Sequence, residues 1–127
     1  MNVWHFGGES ECKSAEELVS IMETRYEGGV NEFLIYGEKK YPYLAVLVNN
    51  NNAFLTFFME DDSYALQSSA LDATLDHNET SIFYTGTPDI EIQVWNEFVV
   101  PFSKALEAAT EFFTTSSLPN CIEWSEQ

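Results

Sequence analysis

The chain has 127 residues, of which 45% are hydrophobic and 15% aromatic, a composition typical of one folded domain over residues 1–127. It carries 21 acidic residues against five Lys and Arg, a formal net charge of −16. A field of this sign repels phosphate backbones and anionic membranes and attracts basic proteins. We therefore expect a protein partner and neither nucleic acid nor membrane as a direct ligand.

The first predicted element is a helix that begins after Ser14. Ser14 and Glu17 have the spacing of a capping box, in which side chains satisfy amides of the first turn. Apolar residues then recur at helical spacing as far as Tyr26. Gly28 and Gly29 follow, and glycine readily adopts the left-handed conformation that ends helices, so we predict that the helix stops there.

The middle of the chain predicts strands. Its apolar segments are rich in β-branched and aromatic residues and occupy 32–37, 43–49, 53–60, 81–86 and 90–98. The Asn run 49–52 predicts a hairpin turn because Asn tolerates positive φ, and 60–63 predicts a second turn. Residues 64–76 fit either a strand with a loop or a short helix.

One strand in this region has a clear alternation. Within 90–98, Glu91, Gln93 and Trp95 alternate with apolar residues. Alternate side chains of a strand point to opposite faces, so Trp95 shares its face with the two polar residues. We expect Trp95 to be exposed, and an exposed Trp is a common interface anchor.

A second helix is predicted after Pro101, which favours the first turn of a helix. An apolar stripe extends from Phe102 to Phe113, and the segment around 121–124 predicts a final strand. The order is therefore helix, several mostly antiparallel strands, helix, strand. We predict an α+β fold, with a mostly antiparallel sheet of about five to seven strands and two main helices packed on it.

The sequence contains no recognisable catalytic, cofactor-binding or metal-binding motif. His77 lies near Asp76 and Glu79, but a solvated histidine is the simplest interpretation of such a loop. Cys12 and Cys121 have no neighbouring base, and no export signal precedes them. We expect reduced thiols, a cytoplasmic location, no cofactor and no enzymatic activity.

The acidic residues are unevenly distributed. No basic residue lies between Lys40 and Lys104, so the carboxylates in this interval lack a local counter-ion. A basic partner would relieve their repulsion, and we predict that this interval forms the binding face. The predicted contact residues are Glu60, Asp61, Asp62, Tyr64, Asp72, Asp76, Glu79, Asp89, Glu91 and Trp95.

The C-terminal region resembles immunity protein family 1 of bacterial polymorphic toxin and contact-dependent inhibition systems. The similar features are a hydrophobic-Pro step at Val100, a helix that ends in an Ala…Glu-Phe pattern, a turn with Pro, and a strand that finishes in Trp. The resemblance implies that these pattern residues form the scaffold that seats the second helix on the sheet. They are Pro101, Glu111, Phe112, Pro119 and Trp124.

This resemblance implies a cytoplasmic, non-catalytic protein that binds the C-terminal domain of a cognate toxin and neutralises it, in a one-to-one complex. The acidic interval favours a basic, nucleic-acid-directed toxin, such as a nuclease. Two alternatives remain at this point. One is an adaptor domain that pairs a partner strand at a sheet edge, and the other is a small hydrolase that reverses a toxin modification through His77 with Asp76 or Glu79.

Overall fold

The computed structural model describes residues 1–60, 65–69 and 75–127. The described part contains two α-helices, α1 (Ala15–Met22) and α2 (Phe102–Thr115), and a 3₁₀ turn at Asn96–Phe98. Its strands are β1 (Asn2–His5), β2 (Gly8–Glu11), β3 (Val30–Tyr36), β4 (Tyr43–Asn49), β5 (Asn52–Phe58), β6 (Ala65–Ser69), β7 (Thr80–Tyr84), β8 (Glu91–Trp95), β9 (Val100–Pro101) and β10 (Glu123–Glu126).

Seven strands form the main sheet in the order β10-β6-β5-β4-β3-β1-β2, and the two-residue β9 adds to β5. Every pairing is antiparallel. Strands β7 and β8 form a separate two-stranded hairpin. The predicted α+β class is confirmed, and the hairpin is a layer that the sequence did not predict.

Helix α1 begins as predicted and ends earlier. The Ser14 hydroxyl accepts the Glu17 amide N–H at 3.2 Å, and the Glu17 carboxylate accepts the Lys13 amide N–H at 2.7 Å. The helix ends at Met22, so the prediction of an end at Gly28-Gly29 was wrong. Arg25 caps this end, because its guanidinium donates to the Met22 carbonyl and lies 4.3 Å from the Phe102 ring centroid.

The turns around the central strands also follow the sequence. The Asn run forms the β4–β5 turn, and Asn50 has the positive φ of 54° that Asn tolerates. The ambiguous segment 64–76 contains strand β6, while its residues 64 and 70–74 lie outside the described residues. The turn predicted at 60–63 also lies outside them, apart from Glu60.

Helix α2 and the strand that follows it are joined by the pattern residues. Phe112 is fully buried and meets the Phe57 ring edge-on, with centroids 5.8 Å apart. The Glu111 carboxylate accepts the Asn120 amide N–H, and the Trp124 indole N–H donates to the Pro119 carbonyl at 2.7 Å. Pro101 is the exposed N-cap of α2. These contacts fasten the end of α2 to strand β10.

The central strands are apolar on both faces. In β4, Leu44, Val46 and Val48 join the core beneath the two helices, while Leu47 joins a second core with Phe83 of the hairpin. Neighbouring residues of a strand point to opposite faces, so the helices and the hairpin lie on opposite sides of the sheet. The molecule therefore has three layers: helices, sheet and hairpin.

Polar contacts attach the hairpin to the sheet. The Glu32 carboxylate, 7% exposed on β3, accepts the Thr85 hydroxyl and the Gly86 amide N–H, each at 2.8 Å. The Asn49 amide donates to the Ile82 carbonyl at 2.9 Å. At the other end, the Ser68 hydroxyl of β6 donates to the carbonyl of Phe98, which closely follows β8, at 2.7 Å. Together with the second core, these bonds set the position of the hairpin.

We expect Glu32→Ala to loosen the hairpin selectively. Removing a charged acceptor of two hydrogen bonds should lower the local opening free energy by about 1.5–3 kcal/mol. Amide hydrogen exchange of 80–95 should accelerate while exchange of β3–β5 stays slow. Glu32→Gln keeps an acceptor and is the matched control. Equal acceleration throughout the sheet would contradict the assignment of Glu32 as a hairpin contact.

We expect Phe112→Ala to destabilise the whole fold by about 3–5 kcal/mol, since it empties a fully buried aromatic site between helix and sheet. Urea unfolding measures this loss. Phe113→Ala, at the neighbouring partly buried position, should cost clearly less. Similar losses for the two variants would show that α2 packs on the sheet differently.

Candidate partner-binding face

The outer face of the β7–β8 hairpin is set by its register. Thr80 pairs with Trp95, Ile82 with Gln93, and Tyr84 with Glu91. The intervening residues Phe83 and Val94 are buried in the second core. Because side chains alternate between faces, the side chains of these three pairs point away from the sheet.

This face is unusually apolar for a surface. Among the described residues, the large hydrophobic side chains that are exposed are Ile82 at 41%, Ile90 at 53% and Trp95 at 53%. Ile82 and Trp95 lie on the outer face of the hairpin, and Ile90 immediately precedes β8. Three exposed hydrophobic residues on one small element indicate an interaction surface. We call this surface the hairpin face, comprising Ile82, Tyr84, Gln93 and Trp95, with exposed Ile90 beside it at the turn.

Carboxylates surround the hairpin face. The exposed carboxylates of this segment are Asp76, Glu79, Asp89, Glu91 and Glu97. The same segment contains no Lys or Arg. Asp76 and Glu79 precede β7, while Asp89 and Glu91 lie at the turn and the start of β8. The arrangement is an apolar centre with an acidic rim, which matches the anatomy of a protein-binding surface for a basic partner.

The structure places part of the predicted contact set together. Asp76, Glu79, Asp89, Glu91 and Trp95 lie on or beside the hairpin, and the predicted exposure of Trp95 is confirmed. Glu60 is exposed too, but it follows β5 at the end of the main sheet. The remaining predicted contacts, Asp61, Asp62, Tyr64 and Asp72, lie outside the described residues.

Sequence reasoning missed Ile82, Tyr84 and Ile90. The segment 80–84 is apolar or weakly polar throughout, so its periodicity does not show which side faces the core. The pairing with β8 supplies that information, because Ile82 lies opposite the polar Gln93. Ile90 alternates with Glu91, Gln93 and Trp95 in the sequence, but it lies in the turn before β8, where its amide N–H donates to the Thr87 carbonyl and its side chain is exposed.

The described residues offer little for catalysis. Burial raises the pKa of both the Cys12 and the Cys121 thiol, which keeps them in the less reactive protonated form. His77 is exposed, and among the described residues no group of three His, Cys, Asp or Glu side chains could hold a metal ion. Neither described helix is long and apolar enough to cross a membrane.

Comparison with known proteins agrees with the resemblance of the C-terminal region to immunity protein family 1. The chain is similar to the double-stranded DNA deaminase immunity protein of Burkholderia cenocepacia (strain H111), with 25% identity over 122 residues that cover 95% of each chain. The family model described as Immunity protein Imm1 matches residues 7–126. Because this match spans nearly the whole chain, the protein belongs to the Imm1 family of immunity proteins.

Proposed function

We propose that this protein neutralises a nucleic-acid-directed toxin, and specifically a nucleobase deaminase, by binding the toxin domain with its hairpin face. The observation behind this proposal is the exposed cluster of Trp95, Ile82 and Ile90 within a rim of carboxylates. The cluster supplies apolar anchors, and the rim supplies charge of the sign opposite to that of a nucleic-acid-binding cleft.

The second support for the proposal is the positive charge that such a toxin must carry. An enzyme that acts on nucleic acid needs Lys and Arg to hold the phosphate backbone. A protein of net charge −16 competes for those same residues, and its field speeds the encounter. The protein then acts by occupying a surface, in a one-to-one complex, and needs no chemistry of its own.

The toxin class rests on the relative. The Burkholderia cenocepacia protein is named as the immunity protein of a double-stranded DNA deaminase and aligns along almost the full length of this chain. This favours a deaminase over the nuclease suggested by charge alone. A toxin that modifies DNA acts in the compartment that contains the DNA, so we place this immunity protein in the cytoplasm.

Trp95 is the expected energetic centre of the contact. Trp95→Ala should weaken toxin binding by about 2 kcal/mol or more, mainly through faster dissociation, because exposed aromatic anchors dominate interfaces. The side chain is half exposed, so the variant should keep its melting temperature within a few degrees. Surface plasmon resonance with the toxin domain measures both rates. Unchanged dissociation would exclude Trp95 from the contact.

Two charge-reversal variants distinguish a direct contact at the hairpin from the effect of net charge on association. Glu91→Lys on the hairpin and Glu16→Lys on α1 change the net charge equally, but α1 lies on the opposite side of the sheet. We expect Glu91→Lys to slow association at least several-fold more than Glu16→Lys, with the difference shrinking in high salt. Equal effects would mean that only the net charge matters.

The identity of the toxin is tested by capture and assay. The tagged protein is used to isolate partners from the lysate of its own host at low and high salt, and the partner is identified by mass spectrometry. The purified toxin domain is then assayed for deamination of double-stranded DNA, single-stranded DNA and RNA, with and without this protein. Stoichiometric inhibition of deamination supports the proposal. An inhibited nuclease would retain the antidote role and refute the toxin class, whereas an uninhibited toxin would refute both.

A further inference from the structure

The hairpin covers only part of its side of the sheet. Glu32, Leu47 and Phe54 form one row across β3, β4 and β5, and this row contacts the hairpin. The next row on the same face begins two residues away, at Leu34 and Ala45, about 7 Å further along the strands. Beyond it lies a row of rings, Tyr36, Tyr43 and Phe58.

These rows, which the described part of the hairpin does not reach, form a shallow depression. A cavity of about 490 Å³ is lined by Leu34, Tyr36, Lys40 and Tyr43. The Tyr43 and Phe58 rings stack with centroids 4.5 Å apart, and Tyr41 lies 5.4 Å from Tyr43. All these rings are partly buried. We call this surface the aromatic shelf, comprising Leu34, Tyr36, Lys40, Tyr41, Tyr43 and Phe58.

The hairpin face is too small to hold a partner alone. Two paired strands of five residues offer an outer face of about 17 Å by about 10 Å. A stable interface covers about 800 Å² on each partner, several times that footprint. A partner on the hairpin must extend onto a neighbouring surface. The aromatic shelf lies on the same side of the sheet and begins one row from the hairpin contact.

The chemistry of the shelf indicates what it would hold. Flat aromatic faces attract cations, and the structure already places one there: the Lys40 ammonium lies 5.4 Å from the Tyr41 ring centroid. At the far edge the Tyr36 hydroxyl donates to the Glu9 carboxylate, a bond that raises the pKa of Tyr36. An arginine side chain fits this surface best, since its planar guanidinium stacks on rings while its N–H groups still bond to a carboxylate.

We propose that the aromatic shelf is the second half of the toxin-binding surface and that it receives an arginine side chain of the toxin domain. This proposal rests on the proposed function. In the free protein, Lys40 occupies the aromatic surface in place of that arginine and moves aside on binding. The hairpin face and the shelf together then form one continuous surface on the side of the sheet opposite the helices.

The test uses the toxin domain obtained by capture and four variants measured by surface plasmon resonance. Tyr43→Leu removes a ring and should weaken binding by about 5- to 30-fold. Tyr43→Phe keeps the ring and should bind with wild-type affinity, which assigns the effect to the ring and not to the hydroxyl. An unchanged melting temperature of Tyr43→Leu separates loss of stacking from loss of fold. Lys40→Gln removes the competing cation and should tighten binding about 2- to 5-fold relative to Lys39→Gln. Lys39 is the matched control, since it is exposed beside Lys40 but does not line the cavity.

The outcomes distinguish this proposal from the proposed function. If the wild-type protein inhibits the toxin but Tyr43→Leu binds it with unchanged affinity, the shelf is not part of the interface. If Tyr43→Leu weakens binding and Lys40→Gln weakens it more than Lys39→Gln does, the shelf holds an anionic group and the arginine assignment is wrong. If the wild-type protein inhibits no toxin, both proposals fall together.

Discussion

The structure depends on the central strands of the sheet being apolar on both faces. Such strands must be covered twice, once by the helices and once from the opposite side. The helices cover their side, with α2 packed on β4 and β5. The short hairpin covers only the row of Leu47 and Phe54. Two surfaces are thus not covered by the helices, the sheet or the hairpin that the structure describes: the outside of the hairpin and the aromatic rows beside it.

Electrostatics contribute little to the stability of this fold. Among the described residues, the only ion pair is between exposed Lys104 and Glu107, a type worth little in water. Buried Glu32 is held by the neutral Thr85 hydroxyl and the Gly86 amide. Apolar packing therefore stabilises a chain whose carboxylates repel one another. A basic partner would supply the missing positive charge, so the acidic composition favours the binding function that we propose.

The scaffold and the proposed recognition surface lie in different parts of the molecule. The residues that match the family pattern, such as Phe112 and Trp124, lie where α2, β5 and β10 meet. The exposed hydrophobic residues lie on a hairpin attached to the other side of the sheet. Ile82 and Trp95 on the hairpin's outer face lie outside both cores, so they can be replaced at little cost to the fold. The family pattern therefore lies in the scaffold, whereas the surface that we propose for partner binding lies outside it.

The sequence by itself determined the elements whose signals are local. The capping box at Ser14, the Asn turn, and the alternation that exposes Trp95 all act within a few residues, and all are present in the structure. Tertiary structure alone decided the rest. Helix α1 ends at Met22 rather than at the glycines, and beyond this end Arg25 packs on distant Phe102. Ile82 is exposed and Phe83 buried because of pairing with β8, and the aromatic shelf arises because β3, β4 and β5 align their rings in one row. These features depend on contacts between residues far apart in the chain, which no local pattern contains.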